Sequence, residues 1–184
     1  MWHYYDETER RAWQNPEEIL TAIGLKAGHT LIDIGCGDGF FSLPAARIVG
    51  PKGLVYAIDS NPQSMAKLDK KAAEAGLNNI FSTQNEAESS LVCDACADFI
   101  FFGIVLHDFR EPDKVLLNAR QMLKPGGHLI NLDWKKEPMK LGPPLEKRFD
   151  IGAASALLQK AGFAVEKSEN WGPYNYLMTA KVQA

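Results

Sequence analysis

Asp33, Gly35, Gly37 and Gly39 are spaced as D-x-G-x-G-x-G, directly after the apolar run Leu31-Ile32-Asp33-Ile34. β-Branched residues in such a run suit a buried strand. Three glycines in alternation supply positions without a Cβ, where the backbone can turn with positive φ or touch a ligand. Phe40, Phe41, Leu43, Ala45, Ala46 and Ile48 continue as an apolar helix. Strand, glycine turn and helix start together predict a cradle whose unpaired backbone N–H groups face a small molecule. Asp59 follows at the end of a second apolar run, about 20 residues beyond the last glycine, where a carboxylate accepts from the two ribose hydroxyls of a nucleoside. His107 is the residue best suited to move a proton, because its side chain titrates near neutrality and it follows a fourth apolar run at what should be the carboxyl edge of a sheet. Asp108, Asp133 and Trp134 fall on the same rim.

These groups need an alternating scaffold to meet. Asn15 caps a helix with Pro16 at its first position, Glu17 and Glu18 in its first turn and Gly24 after it. Strands are expected at 31–34, 54–58, 80–83, 98–103 and 128–132, with helices between them at 62–75 and 112–123. Lys124-Pro125-Gly126-Gly127 reads as the turn into the fifth strand. Residues 135–147, with Pro138, Pro143 and Pro144, read as a loop across the top of the sheet, and a helix over 151–160 ends at Gly162. Residues 163–168 and 176–182 flank Asn170-Trp171-Gly172-Pro173 as an antiparallel pair. Residues 1–14 carry Trp2, Tyr4, Tyr5 and Trp13 without periodicity, an aromatic arm expected to cover the ligand site. The whole predicts one α/β domain over 1–184, a Rossmann-like three-layer sandwich around a seven-stranded, mostly parallel sheet with an antiparallel C-terminal hairpin strand.

Composition narrows the functions. Twenty basic against 23 acidic residues give a formal charge of -3, so no electrostatic footprint for nucleic acid is present. No apolar run approaches the ~20 residues of a membrane span. MWHYYDETERR has neither the basic nor the apolar region of a secretory signal, so a cytoplasmic location is expected. Cys93 and Cys96 form a C-x-x-C that half-fits a zinc site or a redox pair. With no further ligand pair, the expectation is two small residues in a surface turn and no metal site. Cys36 is expected to serve by its size.

The glycine turn alone fits two cofactor families. A dinucleotide site reads G-x-G-x-x-G, and Phe40 stands where its last glycine would fall. The D-x-G-x-G-x-G turn instead resembles motif I of the class I S-adenosylmethionine-dependent methyltransferases. The exit of the third strand, Asn85-Glu86-Ala87-Glu88, with Ala97-Asp98 before the fourth, resembles the type 11 group that includes the quinone-biosynthesis methyltransferases. So do Leu106-His107-Asp108-Phe109 and Met122-Leu123-Lys124-Pro125-Gly126-Gly127. Glu86 stands where that group has Asp, and Asn85 where it has Gly.

The resemblance implies S-adenosylmethionine as cofactor, S-adenosylhomocysteine as product, and adenine contacts from Glu86 and the following backbone. The candidate cofactor set is Asp33, Gly35, Cys36, Gly37, Asp38, Asp59, Ser60, Asn85, Glu86, Ala87 and Gly103. The candidate acceptor pocket is Tyr4, Tyr5, Trp13, His107, Asp108, Asp133 and Trp134, with His107 as the catalytic base. The amide-and-aromatic signature of enzymes that methylate nucleic-acid amino groups is absent, since Gly142-Pro143-Pro144-Leu145 lacks both. A small-molecule acceptor is therefore expected, with no nucleic acid and no indicated oligomer. A non-catalytic cofactor-binding module and a nicotinamide-dependent oxidoreductase are the competing readings.

Overall fold

The strand β1 (Thr30–Ile34), buried at every position, lies near the centre of the sheet. Around it run β2 (Leu54–Asp59), β3 (Ile80–Gln84), β4 (Ala97–Gly103), β5 (Leu123–Trp134), β6 (Phe163–Trp171) and β7 (Asn175–Val182), in the order β3-β2-β1-β4-β5-β7-β6. The neighbours from β3 to β5 pair in parallel, whereas β7 runs antiparallel between β5 and β6. The expected architecture is therefore present. These facts come from a computed structural model that describes residues 7–183; Tyr4 and Tyr5 lie outside the described residues.

Six α-helices accompany the strands among the described residues: α1 (Glu7–Trp13), α2 (Pro16–Ala22), α3 (Ser42–Val49), α4 (Pro62–Glu74), α5 (Pro112–Met122) and α6 (Ile151–Lys160). Local capping chemistry explains several starts. Asn15 accepts from the N–H groups of Glu17 and Glu18, and Asn61 accepts from those of Gln63 and Ser64. Pro follows each cap, where its missing N–H costs nothing. Glu111 gives α5 no side-chain cap. Glu88 serves instead, its Oε1 accepting from the N–H of Arg110 at 2.9 Å and of Glu111 at 3.2 Å.

Apolar side chains bury on both faces of the sheet. Ile100, Phe102, Leu129 and Met178 pack with α5 and α6 on one side; Leu31, Phe101, Ile130 and Leu132 pack with α2 and α3 on the other.

Three expectations are corrected. The Lys124–Gly127 stretch is not a turn outside the sheet: β5 begins at Leu123, opposite Ala97, and shifts register before His128 meets Phe99. Lys124 Nζ binds both oxygens of Asp98 at 2.9 Å, while Asp98 also accepts the Thr30 N–H at 2.7 Å. That carboxylate draws the bulge back against β1 and β4. Residues 7–13 of the arm are helical, although no apolar stripe announced it, because its contacts are mostly ionic and aromatic. Cys93 and Cys96 are joined by a disulfide. The turn between them places Ala95 at φ 45° and ties the N–H groups of Ala95 and Cys96 to the carbonyls of Gln121 and Met122, which brings the two cysteines together.

Candidate functional site

A cavity of about 420 Å³ opens over the carboxyl ends of β1 and β4. There the strand order reverses, as at ligand sites of open α/β sheets. Its volume lies within the range of small-molecule sites. Gly35, Cys36, Gly37, Asp38 and Asp59 line one end; His107, Asp108 and Trp134 line the other; Gly103 lies with Ile104 and Val105 at the end of β4; Arg10, Trp13 and Gln14 come from the arm, and Lys140, Gly142 and Pro143 from the loop after β5.

The cradle differs from expectation in one respect. Its N–H groups are largely used within the protein: Gly35 and Cys36 donate to the Ile58 carbonyl at 2.8 and 3.0 Å, and Gly39 to Cys36 at 3.1 Å. Gly37 donates to Asp59 Oδ2 at 2.9 Å, while Asp59 Oδ1 accepts from Asn61 N–H at 2.9 Å. The glycines have separate reasons. A Cβ on Gly35 would stand 2.5 Å from Val105 Cγ2, and one on Gly39 would stand 2.5 Å from Leu68 Cδ1. A Cβ on Gly37 would meet nothing within 4 Å. Gly35 and Gly39 thus permit close packing, whereas Gly37 keeps space clear for a bound molecule.

Asp33 is not a wall of this cavity. It is 1% exposed, lies behind the turn and accepts the Ser42 hydroxyl at 2.6 Å. Burial, aided by the charge of Asp59, pushes its pKa up to about 7 against the opposing effects of Ser42 and Arg10. Cys36 is buried and unpaired, and burial beside Asp33 and Asp59 pushes its thiol far up, so it stays protonated. Ser60, Asn85, Glu86 and Ala87 do not line the cavity. The Asn85 N–H donates to the Asp59 carbonyl at 3.1 Å, which sets residues 85–87 beside the end of β2 instead.

At the far end, the His107 side chain is only 3% exposed and sits on a 3-10 turn, Leu106–Asp108. Its Nδ1 lies 2.7 Å from Asp133 Oδ1 and its Nε2 3.4 Å from Asp108 Oδ2. Burial disfavours the imidazolium and Lys147 adds to that, but the hydrogen bond and charge of Asp133, with the charge of Asp108, outweigh both and raise the pKa above 6.5. Asp133 itself is 1% exposed and stands behind His107, which corrects its assignment to the acceptor pocket. The cause is strand alternation, which turns Asp133 toward the α5 side, below the rim.

Two structures roof the space. Trp13 packs 5.5 Å from Trp134 and edge-on to Tyr174 at 5.4 Å, and the Arg10 guanidinium lies 3.9 Å above the Phe40 ring. Lys71 bridges Asp38 at 2.9 Å and Glu7 at 3.3 Å, tying α1 to the glycine turn. The loop over 135–147 is held by Arg148, 4% exposed, which donates to the carbonyls of Pro143 (2.7 Å), Leu141 (2.8 Å), Glu137 (3.0 Å) and Lys135 (3.2 Å). Gly142, at φ +87°, lets the loop lie against Trp134, where a Cβ would come within 2.8 Å of the indole.

Sequence reasoning missed Arg10, Gln14, Phe40, Phe41, Ile104, Val105 and Lys140 as lining residues. Ile104 and Val105 had a positional signal, since they directly follow a strand at its carboxyl end. Ile104 also holds φ +66°, a strained conformation for a β-branched residue that concentrates at functional sites. Arg10 and Lys140 lie in the two segments expected to border the site, the arm and the 135–147 loop, but neither residue type marked it out within them.

Comparison with known proteins agrees with this geometry. The family described as "Methyltransferase domain" matches residues 25–171. The chain belongs to the S-adenosylmethionine-dependent methyltransferases. A solved methyltransferase of this kind from Aquifex aeolicus is 32% identical, with a TM-score of 0.88, covering 96% of this chain and 98% of that one. A structure described as a putative type 11 methyltransferase from Sulfolobus solfataricus is 27% identical, with a TM-score of 0.75 over 92% of each chain. The ubiquinone/menaquinone biosynthesis C-methyltransferase of Photorhabdus laumondii is 31% identical over 91% of this chain and 64% of its own length. This chain thus spans about three fifths of the curated relatives it matches. The cofactor of the family is S-adenosylmethionine, and the clear space over Gly37, in the cavity that Asp59 also lines, fits it. Among the described residues no helix is long and apolar enough to cross a membrane, and no group of His, Cys, Asp and Glu could hold a metal ion.

Proposed function

We propose that this methyltransferase moves the methyl group of S-adenosylmethionine to a small molecule that arrives protonated, with a phenolic or quinol-like ring as the first class to test. One observation carries the reading: a single cavity runs from the glycine turn and Asp59 to His107. The cofactor supplies an electrophilic methyl on a sulfonium when bound. Asp59 would accept from the ribose hydroxyls, the space over Gly37 would take the chain that leads to sulfur, and Asn85, Glu86 and Ala87, beside the end of β2 and outside the cavity walls, would border the base. Trp13 and Trp134, packed on each other, would form one wall against the acceptor and exclude water, and His107 Nε2 would take its proton. Holding acceptor and methyl in line supplies roughly 7–11 kcal/mol of the barrier reduction, so the walls matter more than the base. On this reading the chain acts as one catalytic domain, with α1 as its lid and residues 135–147 as the facing wall.

The quinone-related names of the curated relatives, together with two tryptophans at the acceptor end, favour an aromatic ring. Calorimetry with S-adenosylmethionine, S-adenosylhomocysteine and NADH tests the cofactor; tighter NADH binding would sink the assignment. Mass spectrometry of a panel of hydroquinones, phenols and amines then tests the acceptor. Methylation confined to amines would overturn the choice of class. With a ring acceptor, His107→Ala should lower turnover and leave cofactor affinity within about threefold. Cofactor binding without methylation of any panel member would favour a non-catalytic module.

A further inference from the structure

Behind His107 the protein buries polar atoms that its own groups do not satisfy. Asn131 and Asp133 alternate along β5 and so share one face, and Tyr176 on β7 is registered directly opposite Asp133. All three are at most 1% exposed. Asp133 Oδ1 is doubly used, by His107 Nδ1 at 2.7 Å and by the Trp134 N–H at 2.8 Å. Asp133 Oδ2, both amide atoms of Asn131 and the Tyr176 hydroxyl have no hydrogen-bond partner. The Tyr176 hydroxyl lies beside the Asn131 side chain, close enough to interact with it, and near the charge of Asp133.

Four such atoms would each cost about 1–3 kcal/mol if left unpaired. Donors and acceptors that converge in one buried place are what hold an internal water. We infer that Asn131, Asp133 and Tyr176 share a fixed internal water, and that Asp133, oriented by it, is the positioning residue that keeps the proton of neutral His107 on Nδ1 and turns a basic Nε2 to the cavity.

The chemistry favours this tautomer. A carboxylate oxygen is acceptor-only, so the nitrogen 2.7 Å from it must carry the proton. Nε2 lies 3.4 Å from Asp108 Oδ2, outside the usual hydrogen-bond range, so it is the bare nitrogen, and the charge of Asp108 strengthens it as a base. Other charged groups around the ring are few: Asp108 on its own turn, Asp133 on β5 and Lys147 from the 3-10 turn Leu145–Lys147. Tyr176 faces Asp133 and Asp150. With acceptor and cofactor both bound, Nε2 would take the proton of the acceptor's O–H as the acceptor bonds to the methyl carbon, and the electron pair of the methyl–sulfur bond would stay on sulfur.

That His107 acts as a base rests on the proposed methyl transfer, but its pairing with Asp133 can be measured without any acceptor. The test is a nitrogen-15 NMR titration of the histidine rings in the full chain, compared with Asp133→Asn and joined to a high-resolution crystal structure. In the wild type, neutral His107 should show a protonated Nδ1, a bare Nε2 and a midpoint above 6.5. Asn at 133 removes the charge and offers either amide face, so the midpoint should fall by about 1–3 pH units and the other tautomer should become populated. The crystal should show a water within hydrogen-bond reach of Asp133 Oδ2 and of Asn131 or Tyr176. A wild-type neutral ring protonated on Nε2, an unchanged midpoint in a folded Asp133→Asn, or a direct Tyr176–Asp133 bond in place of the water would each overturn the inference. Should the variant fail to fold, the wild-type titration and the density still decide. A normal titration alongside failure of the acceptor panel would count against the function proposed above and leave the pairing standing.

Discussion

The glycine turn beneath the cavity and helix α1 above it bound the same space, but they are held by different forces. Below, β1 is buried at every position and the loop is tied to Ile58 by backbone hydrogen bonds. Above, α1 has no buried residue and is held by the Arg11–Glu17 pair at 2.9 Å, the Lys71 bridge, Arg10 over Phe40, and Trp13 between two aromatic rings. Ion pairs this exposed are worth about 0–1 kcal/mol each and weaken with salt. A floor of backbone and apolar burial opens only when the fold opens. A roof of surface pairs is expected to open at lower cost than the floor, as the lid role proposed for α1 would need. One charge reaches from roof to floor, since Arg10 is the smallest of the influences on the pKa of buried Asp33 and acts to lower it.

The largest effect should come from breaking the floor's least comfortable element. The folded pKa of Asp33, about 7, lies above its ordinary 3.8. Between those values the folded chain keeps a proton that the unfolded chain has released, so this group makes the fold less stable as pH rises through that window. Asp33→Asn keeps an acceptor for Ser42 and removes the charge. It should stabilise the protein by roughly 3–4 kcal/mol at pH 8 and by almost nothing at pH 4, read from denaturant midpoints at both values. Equal gains at both would mean that the carboxylate is not the source of strain.

Gly37 and Asp59 separate binding from folding within the floor. Gly37→Val projects into clear space, so cofactor affinity should fall about a hundredfold or more, about 3 kcal/mol, while the φ of +56° costs a β-branched residue about 1–3 kcal/mol of stability, read separately from denaturant midpoints. Asp59→Ala should cost about 2–3 kcal/mol of binding through two charge-assisted ribose hydrogen bonds. Unchanged calorimetric affinity there would leave Asp59 as a tether for Gly37 and Asn61 alone.

Arg148 is the exception within the roof, because it is buried. Arg148→Ala strips one charged donor from four carbonyls and should cost about 2 kcal/mol of stability and raise the acceptor KM more than it lowers kcat. A loop that stays closed would show no change in KM. The smallest effect should be on α1 itself. Raising salt from low to about 1 M shortens the Debye length to ~3 Å, so amide exchange over residues 7–13 should quicken while β1 exchange does not. Parallel changes in both would erase the contrast between floor and roof.

Asp33 through Gly39 was legible because a strand, a turn without Cβ atoms and a helix are consecutive in the chain, and each leaves a local mark. Asp59 was legible for the same reason, as the carboxylate that ends a strand. The alternation of apolar runs and caps likewise determined the layers and the antiparallel hairpin. What each carboxylate does was not legible, because it depends on who stands opposite. Asp33 turned out to face Ser42 behind the loop, and Asp133 to face His107 below the rim, since the side of a sheet that receives an alternating side chain is decided by register. The roof was the least legible part. Arg10, Lys140 and the grip of Arg148 on the loop join residues far apart in sequence through charge, aromatic faces and carbonyl groups, and such contacts leave no periodicity behind. The sequence by itself determined where a cofactor could lie; only the tertiary structure decided what closes over it, because closure is made by side chains that meet after the chain has folded.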